Sequence, residues 1–241
     1  MLHLKEQEGP LPKKIVAYSS GNHAQAVAWA GQQLGLMVEI FMPENVAKVK
    51  LQGTQSYGAK VTLCSSHPEA EERPPEVEKG AYLIPPFDHD QVICGQGTAC
   101  LEALDQIKEP LDAVFAPCGG GGLLSGTWVA AKGTDENIKV IGGEPLEAND
   151  AARTLKSGTI YCWHDSPKTI ADGARTLSVT PRTLQYLKCL DGLFEITEEE
   201  IIYWTQCLRT SLSCMSSQHQ HSAWPLRVNG WVNKTKKRIF W

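Results

Sequence analysis

The sequence predicts an α/β fold in which helices cover parallel sheets and the chain divides into two lobes. Three observations lead to this prediction. Short apolar, β-branched segments alternate with helix-like segments from residue 13 onward, which is the pattern of parallel sheets with crossover helices. A run of four glycines stands between a strand-like and a helix-like segment. The length of 241 residues allows one large domain or two small ones.

The first lobe is predicted over residues 14–92. Its opening elements alternate β-α-β-α-β, with each strand short and apolar and each helix rich in helix formers. They are the strands Lys13–Tyr18, Met37–Phe41 and Lys60–Leu63 and the helices Ala24–Leu34 and Asn45–Ser56. Residues 67–78 predict a helix broken by Pro74 and Pro75, which lack amide donors. A strand at Ala81–Pro85 and a loop as far as Gly97 are expected to follow.

The second, larger lobe is predicted over residues 93–207, with residues 1–13 as a remnant linker that belongs to it. The same patterns indicate two further strands and four helices. The strands are Leu111–Ala116 and Lys139–Gly142, and the helices are Thr98–Lys108, Leu123–Lys132, Thr183–Leu190 and Glu198–Leu208.

Composition excludes several functional classes. The net charge of −4 is too close to neutral for a nucleic-acid partner. No apolar run approaches the roughly 20 residues of a membrane span, and the start MLHLKEQEG lacks the apolar core of a signal peptide. None of the eight cysteines has C-x-x-C spacing, which excludes a zinc ribbon and a thioredoxin-type motif. Because no export signal is seen, free thiols are expected. We therefore expect a cytoplasmic protein that binds neither nucleic acid nor membranes.

The last part of the chain differs in composition from the rest. Residues 201–241 hold no acidic residue, six of the 23 basic residues and four of the seven tryptophans. One interpretation is a basic tail that binds an acidic partner. The other is that residues 208–241 are an atypical tail, translated in a shifted reading frame after about residue 207. We favour the frameshift because one event explains both the loss of acids and the excess of tryptophan.

The glycine run predicts a phosphate site. Residues 118–126 read C-G-G-G-G-L-L-S-G between a predicted strand and a predicted helix. Glycines allow successive backbone N–H groups to converge on an anion at the helix N-terminus. No Lys-Ser/Thr follows, so this is not a P-loop, and the spacing does not fit the dinucleotide fingerprint. The alternative is a flexible turn without a ligand.

A second polar loop follows the first predicted strand, where residues 19–23 read S-S-G-N-H. Hydroxyls, an amide and backbone N–H groups at the carboxyl end of a strand suit a carboxylate or a ring oxygen. The alternative is a simple N-cap region, in which His23 is a capping or packing residue rather than a base.

These motifs and four others occur in the order seen in a known family. The others are Tyr57–Val61, Gly95–Thr98, Glu144–Pro145 and Thr169–Gly173. Over about residues 13–206 the chain resembles the serine/threonine dehydratases and serine racemase, which use pyridoxal phosphate (PLP). The resemblance implies the two-lobed, three-layer parallel-sheet architecture of fold type II, also known as the tryptophan-synthase β-type fold.

The resemblance also implies roles for individual residues. The cofactor phosphate would be held by Gly119, Gly120, Gly121, Gly122 and Leu123. Asn22 would bond the ring oxygen of PLP, and Gly173 would lie against its ring. The substrate carboxylate would be bound by Ser19, Ser20, Gly21, Asn22 and His23, and Ser20 matches the second acid/base of the family's racemases.

A cation site is implied in the same way. Glu144, the carbonyl of Ala148 and Asp150 match the family's divalent-cation ligands, and hard oxygens suit Mg²⁺ or Ca²⁺. The alternative for the two carboxylates is an ordinary solvated loop.

The sequence departs from the family in its terminal motifs. The Schiff-base lysine of the family lies in an S-F-K-x-R-G motif upstream of the position of Lys13, and this sequence contains no such motif. Lys13 and Lys14 have no matching context and receive no catalytic role. A Glu-Pro segment and a Ser-Gly-Gly-Asn segment near the family's C-terminus are also missing. We therefore expect a chain truncated at both ends, with an incomplete larger lobe and no activity by itself.

The predicted function is that of an ammonia-lyase (dehydratase) that converts L-serine or L-threonine into a 2-oxo acid and ammonia. The alternatives are a racemase of serine or another hydroxy amino acid, a non-catalytic PLP- or phosphate-binding fragment, and an interaction protein that acts through the basic tail. A homodimer is expected for a full-length form.

Overall fold

The structure is a computed structural model that describes residues 1, 6, 11–72, 81–107, 109–212 and 239–240. The chain divides into two compact units, Met1–Gln91 and Val92–Trp241. Each unit contains a four-stranded sheet in which all paired strands are parallel. The prediction of an α/β fold with parallel sheets is confirmed.

The sheet of the first unit has the order β3-β2-β1-β4. Its elements in chain order are β1 (Lys14–Tyr18), α1 (Asn22–Leu34), β2 (Met37–Pro43), α2 (Lys48–Ser56), β3 (Lys60–Cys64), α3 (His67–Glu72) and β4 (Ala81–Leu83). The centre of β1 and most of β2 are buried, as expected for strands covered on both faces. Because parallel strands end at one edge of a sheet, the loop after β1 lies at its carboxyl edge.

The sheet of the second unit has the order β7-β6-β5-β8. Its elements in chain order are α4 (Asp90–Gln106, which begins two residues before the division), β5 (Ala113–Pro117), α5 (Gly122–Thr134), β6 (Lys139–Pro145), α6 (Asp150–Ser157), α7 (Pro181–Leu187), β7 (Gly192–Ile196), α8 (Glu198–Leu212) and β8 (Ile239–Phe240). Short 3₁₀ turns lie at Leu146–Ala148 and Asp172–Ala174. The core is built mainly from β5, β6 and α5.

The predicted loop as far as Gly97 is wrong, because helix α4 begins at Asp90 and passes through Gly95 and Gly97. A Cβ on Gly97 would lie 2.6 Å from the carbonyl oxygen of Gly126 in α5. Here glycine lets two backbones approach closely, so it marks packing between helices rather than a loop. Helix α6 and strand β7 were not predicted either; most of β7 is partly exposed or exposed around Phe194, which hides the usual apolar signal.

The atypical tail falls largely outside the described residues. Within it, the structure describes the end of α8 and the two residues of β8, which pair in parallel with Ala113 and Val114 of β5. The frameshift and the remnant linker at 1–13 remain predictions. The seven described cysteines are free thiols. In the part of the chain that the structure describes, no helix combines the length and apolar character needed to cross a membrane.

Candidate functional site

The glycine loop joins β5 to α5 in the second unit. Gly121 has a φ of +88°, which favours glycine, and a Cβ there would lie 3.0 Å from the Cβ of Thr183. Within the described residues, the backbone amides of Gly120, Gly121 and Gly122 have no hydrogen-bond acceptor. Orphan amides at the N-terminus of a 13-residue helix fit the phosphate of PLP, since the amides and the helix dipole both favour an anion.

The 3₁₀ turn that contains Gly173 packs directly against this loop. A Cβ on Gly119 would lie 3.0 Å from the carbonyl oxygen of Gly173 and 3.3 Å from the Cα of Ala174. The structure therefore brings together two of the predicted cofactor segments, Gly119–Gly122 and Gly173. A larger residue at position 119 would therefore press against backbone atoms of the turn, which would have to shift by a few tenths of an ångström.

The Ser19–His23 loop joins β1 to α1 in the first unit. The amide of Gly21 donates a hydrogen bond to Oγ of Ser19 over 3.2 Å. Among the described residues, no acceptor is found for the amides of Asn22, His23 and Ala24, which form the first turn of α1. These amides can bind a carboxylate, as the motif predicts.

His23, the last residue of this loop, contacts a residue that is distant in the sequence. Its Nε2 lies 3.0 Å from the carbonyl oxygen of Ile84, so the bond is made by a protonated Nε2. Burial lowers the pKa of His23, and the bond to Ile84 opposes this only in part. Burial and this bond hold the imidazole in place, and its second ring nitrogen, Nδ1, keeps a lone pair.

Sequence reasoning missed a cation beside the same loop. Nζ of Lys50, in the first turn of α2, lies 3.8 Å from the position that a Cβ on Gly21 would occupy. An ammonium group there favours a bound carboxylate. Lys50 stands 29 residues after Gly21 in the sequence, and only the packing of α1 against α2 makes them neighbours.

The two predicted carboxylate ligands of a cation are buried together in the second unit. Glu144, at the end of β6, and Asp150, at the start of α6, are each 1% exposed. Oε1 of Glu144 accepts a hydrogen bond from the amide of Ala152 over 2.7 Å. Neither carboxylate oxygen of Asp150 has a hydrogen bond of normal geometry among the described residues, although the backbone amides of Asp150 and Val179 act to lower its pKa.

The electrostatic state of this pair is unusual. Burial raises the pKa of Glu144 to about 8, with a further rise from the charge of Asp150, and burial raises the pKa of Asp150 to about 7. The same two carboxylates, after burial itself, raise the pKa of Cys118. Buried carboxylates without a counter-ion fit a hard cation, while the described residues offer no cluster of three or more His, Cys, Asp or Glu side chains.

A polar network that the sequence did not predict surrounds this pair. Asn149, between Ala148 and Asp150, donates from its amide to Oε1 of Glu195. Its Oδ1 accepts a bond of 2.7 Å from Nε of Arg153. The guanidinium of Arg153 lies 4.7 Å from the ring centres of both Tyr161 and Trp163. Because these residues come from β7, α6 and the following loop, their proximity depends on tertiary packing.

Parallel α/β units with a glycine loop that presents free amides at a helix N-terminus agree with the architecture of fold type II PLP enzymes, and the comparisons with known proteins establish this class. The chain belongs to the family described as pyridoxal-phosphate dependent enzyme, which residues 1–213 match. The family implies PLP as the cofactor.

The relatives of the chain have more than one activity. It is 45% identical over 206 residues to serine racemase of Dictyostelium discoideum, covering 83% of this chain and 62% of the relative. It is 40% identical over 195 residues to L-threo-3-hydroxyaspartate ammonia-lyase of Saccharomyces cerevisiae, covering 79% of this chain and 59% of the relative. The chain thus spans about three fifths of the length of these curated relatives.

Solved structures show the same fold. The crystal structure of a threonine deaminase from T.th. matches with a TM-score of 0.89 at 36% identity, covering 97% of this chain and 77% of that one. The structure of serine racemase from Dictyostelium discoideum matches with a TM-score of 0.83 at 37% identity, covering 98% of this chain and 77% of that one.

Proposed function

We propose that the protein is a PLP-dependent ammonia-lyase that converts L-serine or L-threonine into a 2-oxo acid and ammonia. The observation that supports this most directly is the glycine loop, whose amides at Gly120–Gly122 have no acceptor among the described residues. The similarity to a hydroxyaspartate ammonia-lyase and a threonine deaminase supports elimination as the reaction.

The residues of the chain have distinct tasks in this proposal. Gly119–Leu123 would bind the phosphate, Gly173 would lie against the ring and Asn22 would bond its oxygen. The amides of residues 22–24 and the ammonium of Lys50 would orient the substrate carboxylate. PLP, when bound, supplies the electron sink that eases bond breaking at the α-carbon of the amino acid.

The net reaction removes the α-proton and the β-hydroxyl as water, and hydrolysis then releases ammonia. This needs a base over the α-carbon. Nε2 of His23 is bonded to Ile84 and is therefore not available for that task. The family's lysine motif is missing from this sequence, so we propose that the 241-residue chain by itself is inactive.

We also propose that Glu144, the carbonyl of Ala148 and Asp150 bind Mg²⁺ or Ca²⁺. The support is that Asp150 and Glu144 are both buried, that their charges interact and that neither has an ion-pair partner among the described residues. A divalent cation would neutralise both carboxylates and fasten the end of β6 to the start of α6. A homodimer of the complete protein is proposed by analogy with the family.

The test is a chimera in which residues 14–207 are joined to the family's S-F-K-x-R-G, Glu-Pro and Ser-Gly-Gly-Asn segments. We expect the chimera to release ammonia and pyruvate or 2-oxobutyrate from L-serine or L-threonine, and the 241-residue chain to release none. A chimera that binds PLP and yields no 2-oxo acid would contradict the lyase. Turnover by the 241-residue chain would contradict the inactivity proposal.

Racemization is the second candidate. It is favoured by the 45% identity to serine racemase and by Ser20, a partly buried hydroxyl in the loop after β1 that could return a proton to the opposite face. D-serine without ammonia from the chimera would establish this alternative, and Ser20→Ala should then abolish it. PLP binding without either product would favour a non-catalytic fragment.

A further inference from the structure

Three consecutive glutamates begin helix α8, and the structure gives them different surroundings. Glu200 forms a capping box with Thr197, whose amide donates to Oε2 of Glu200 over 3.1 Å. Glu199 is the middle member of the three, and no hydrogen bond of its side chain is found among the described residues. Glu198 accepts two hydrogen bonds from a distant loop: one from Oγ1 of Thr169 over 2.6 Å and one from the amide of Ile170 over 2.8 Å.

The loop residues held by Glu198 directly precede the turn that contains Gly173 and form hydrogen bonds with residues of that turn. Oγ1 of Thr169, a residue only 2% exposed, accepts from the amide of Ala171. The carbonyl of Thr169 accepts a bond of 2.7 Å from Nε of Arg175, on the far side of the turn. The amide of Ala174 closes the turn on the carbonyl of Ala171 over 2.8 Å. These bonds connect residues 169–175 with one another, and Glu198 holds the first two residues of this segment.

This turn limits the room available to the glycine loop. The carbonyl oxygen of Gly173 and the Cα of Ala174 are the atoms that a Cβ on Gly119 would meet first. Since backbone atoms of the turn face Gly119, a shift of the turn would change the space around the glycine loop. The contact has no side chain that could adjust.

We propose that Glu198 is a positioning residue of the cofactor site, which fixes the Asp172–Ala174 turn against Gly119 and so sets the affinity of the glycine loop for phosphate. The inference rests on the proposed function only in that the loop binds the PLP phosphate. The carboxylate of Glu198 suits this task because its two oxygens accept both bonds at once and it lies in the first turn of α8.

The experiment measures binding of pyridoxine 5′-phosphate to the full 241-residue chain by calorimetry. This probe carries the phosphate and lacks the aldehyde, so it cannot react with lysines. We expect Glu198→Ala to weaken binding by about 10-fold, comparable to the loss of an outer-shell partner at a metal site. The matched control, Glu199→Ala, removes the same charge from the same helical turn and should change the affinity by less than about 2-fold.

Two further measurements distinguish the loss of the Glu198 hydrogen bonds from a general loss of structure. Thr169→Val removes the donor of one Glu198 bond together with the acceptor of the Ala171 amide, so the double variant with Glu198→Ala should weaken binding by less than the sum of the two single variants. If Glu198→Ala loses its folded circular dichroism spectrum, Glu198→Gln replaces it; this variant keeps the shape and one acceptor, and should bind with an intermediate affinity.

The outcomes are distinct. Equal binding by the unchanged chain and by the folded Glu198 variant overturns this inference and leaves the phosphate site intact. An equal loss in Glu198→Ala and Glu199→Ala also overturns it, because the effect is then one of helix charge. No binding by the unchanged chain overturns both the inference and the placement of the phosphate.

Discussion

Each unit of the molecule buries an acidic centre, and the two centres are balanced differently. In the first unit, Glu39 on β2 is 2% exposed and has two ammonium partners, with Nζ of Lys14 at 2.7 Å and Nζ of Lys60 at 2.9 Å. Oγ1 of Thr62 also donates to it over 2.6 Å. In the second unit, Glu144 and Asp150 are buried as deeply, and no lysine or arginine of the described residues forms an ion pair with them.

The pKa values follow from this difference. Burial would raise the pKa of Glu39, but the bonds from Lys14, Thr62 and Lys60 hold it down at about 2. Burial raises the pKa of Glu144 to about 8 and that of Asp150 to about 7. A buried acid that is paired with lysines of the same unit needs no external ligand, so its role is structural. A buried acid pair without them must take up protons or an external cation, and this is where a binding site is expected.

Removing the acid of the first centre should have the largest effect. Glu39→Leu takes away the carboxylate that contacts Lys14, whose side chain is only 16% exposed, and should lower the free energy of unfolding by about 3 kcal/mol. Urea unfolding at pH 7 measures this. The double variant Lys14→Met/Glu39→Leu should recover most of the loss, because the buried ammonium is then removed together with the carboxylate. A double variant as unstable as the single one would show that the ion pair is not the cause.

Adding a cation should act on the second centre alone. Millimolar Mg²⁺ or Ca²⁺ should raise the melting temperature of the chain, since a ligand at 100 times its Kd stabilises the folded state by about 2.7 kcal/mol. Asp150→Asn should abolish this rise, and Glu39→Leu should leave it intact. If the unchanged folded chain shows no rise, or if Asp150→Asn keeps it, the cation site is wrong.

The pH dependence of stability should have opposite signs at the two centres. Because the folded-state pKa of Glu39 is depressed, its contribution should be lost as the pH falls from about 4.5 toward 2. Because the pKa values of Glu144 and Asp150 are raised, the cation-free chain should lose stability as the pH rises toward 7–8, by up to about 1.4 kcal/mol per pH unit and proton.

Chemical unfolding between pH 3 and pH 9 in the presence of a chelator measures both losses of stability. Asp150→Asn should reduce the loss of stability toward pH 7–8, with the share of Glu144 remaining, and should leave the loss below about pH 4.5 unchanged. Glu39→Leu should abolish the loss below about pH 4.5 and leave the other one unchanged. An unchanged loss toward pH 7–8 in Asp150→Asn would show that Asp150 does not contribute to it.

The smallest effect is expected from the exposed member of the first centre. The side chain of Lys60 is 71% exposed, so Lys60→Met should lower the free energy of unfolding by less than about 1 kcal/mol. Lys14 would then remain the sufficient partner of Glu39. A loss as large as that of Glu39→Leu, in the same urea experiment, would mean that the two lysines act as one unit.

The sequence by itself determined the alternation of strands and helices, the position of the glycine loop and the family. These depend on local signals. β1 and β2 are apolar because both their faces are covered, and Gly121 is required by the local φ of the turn before α5. The order of short motifs along the chain can be recognised without any knowledge of the packing. Gly119–Gly122 and Ser19–His23 could therefore be identified before the structure.

Only the tertiary structure decided which residues share an environment. Glu39, Glu144 and Glu198 cannot be told apart from the sequence. In the structure, Glu39 forms ion pairs with lysines, and Glu144 forms none among the described residues. Glu198 instead holds the turn beside Gly119 by hydrogen bonds. Gly97 looked like a loop residue until α4 was seen to pack on Gly126. Burial and charge pairing join residues tens of positions apart, and local propensity carries no information about such contacts.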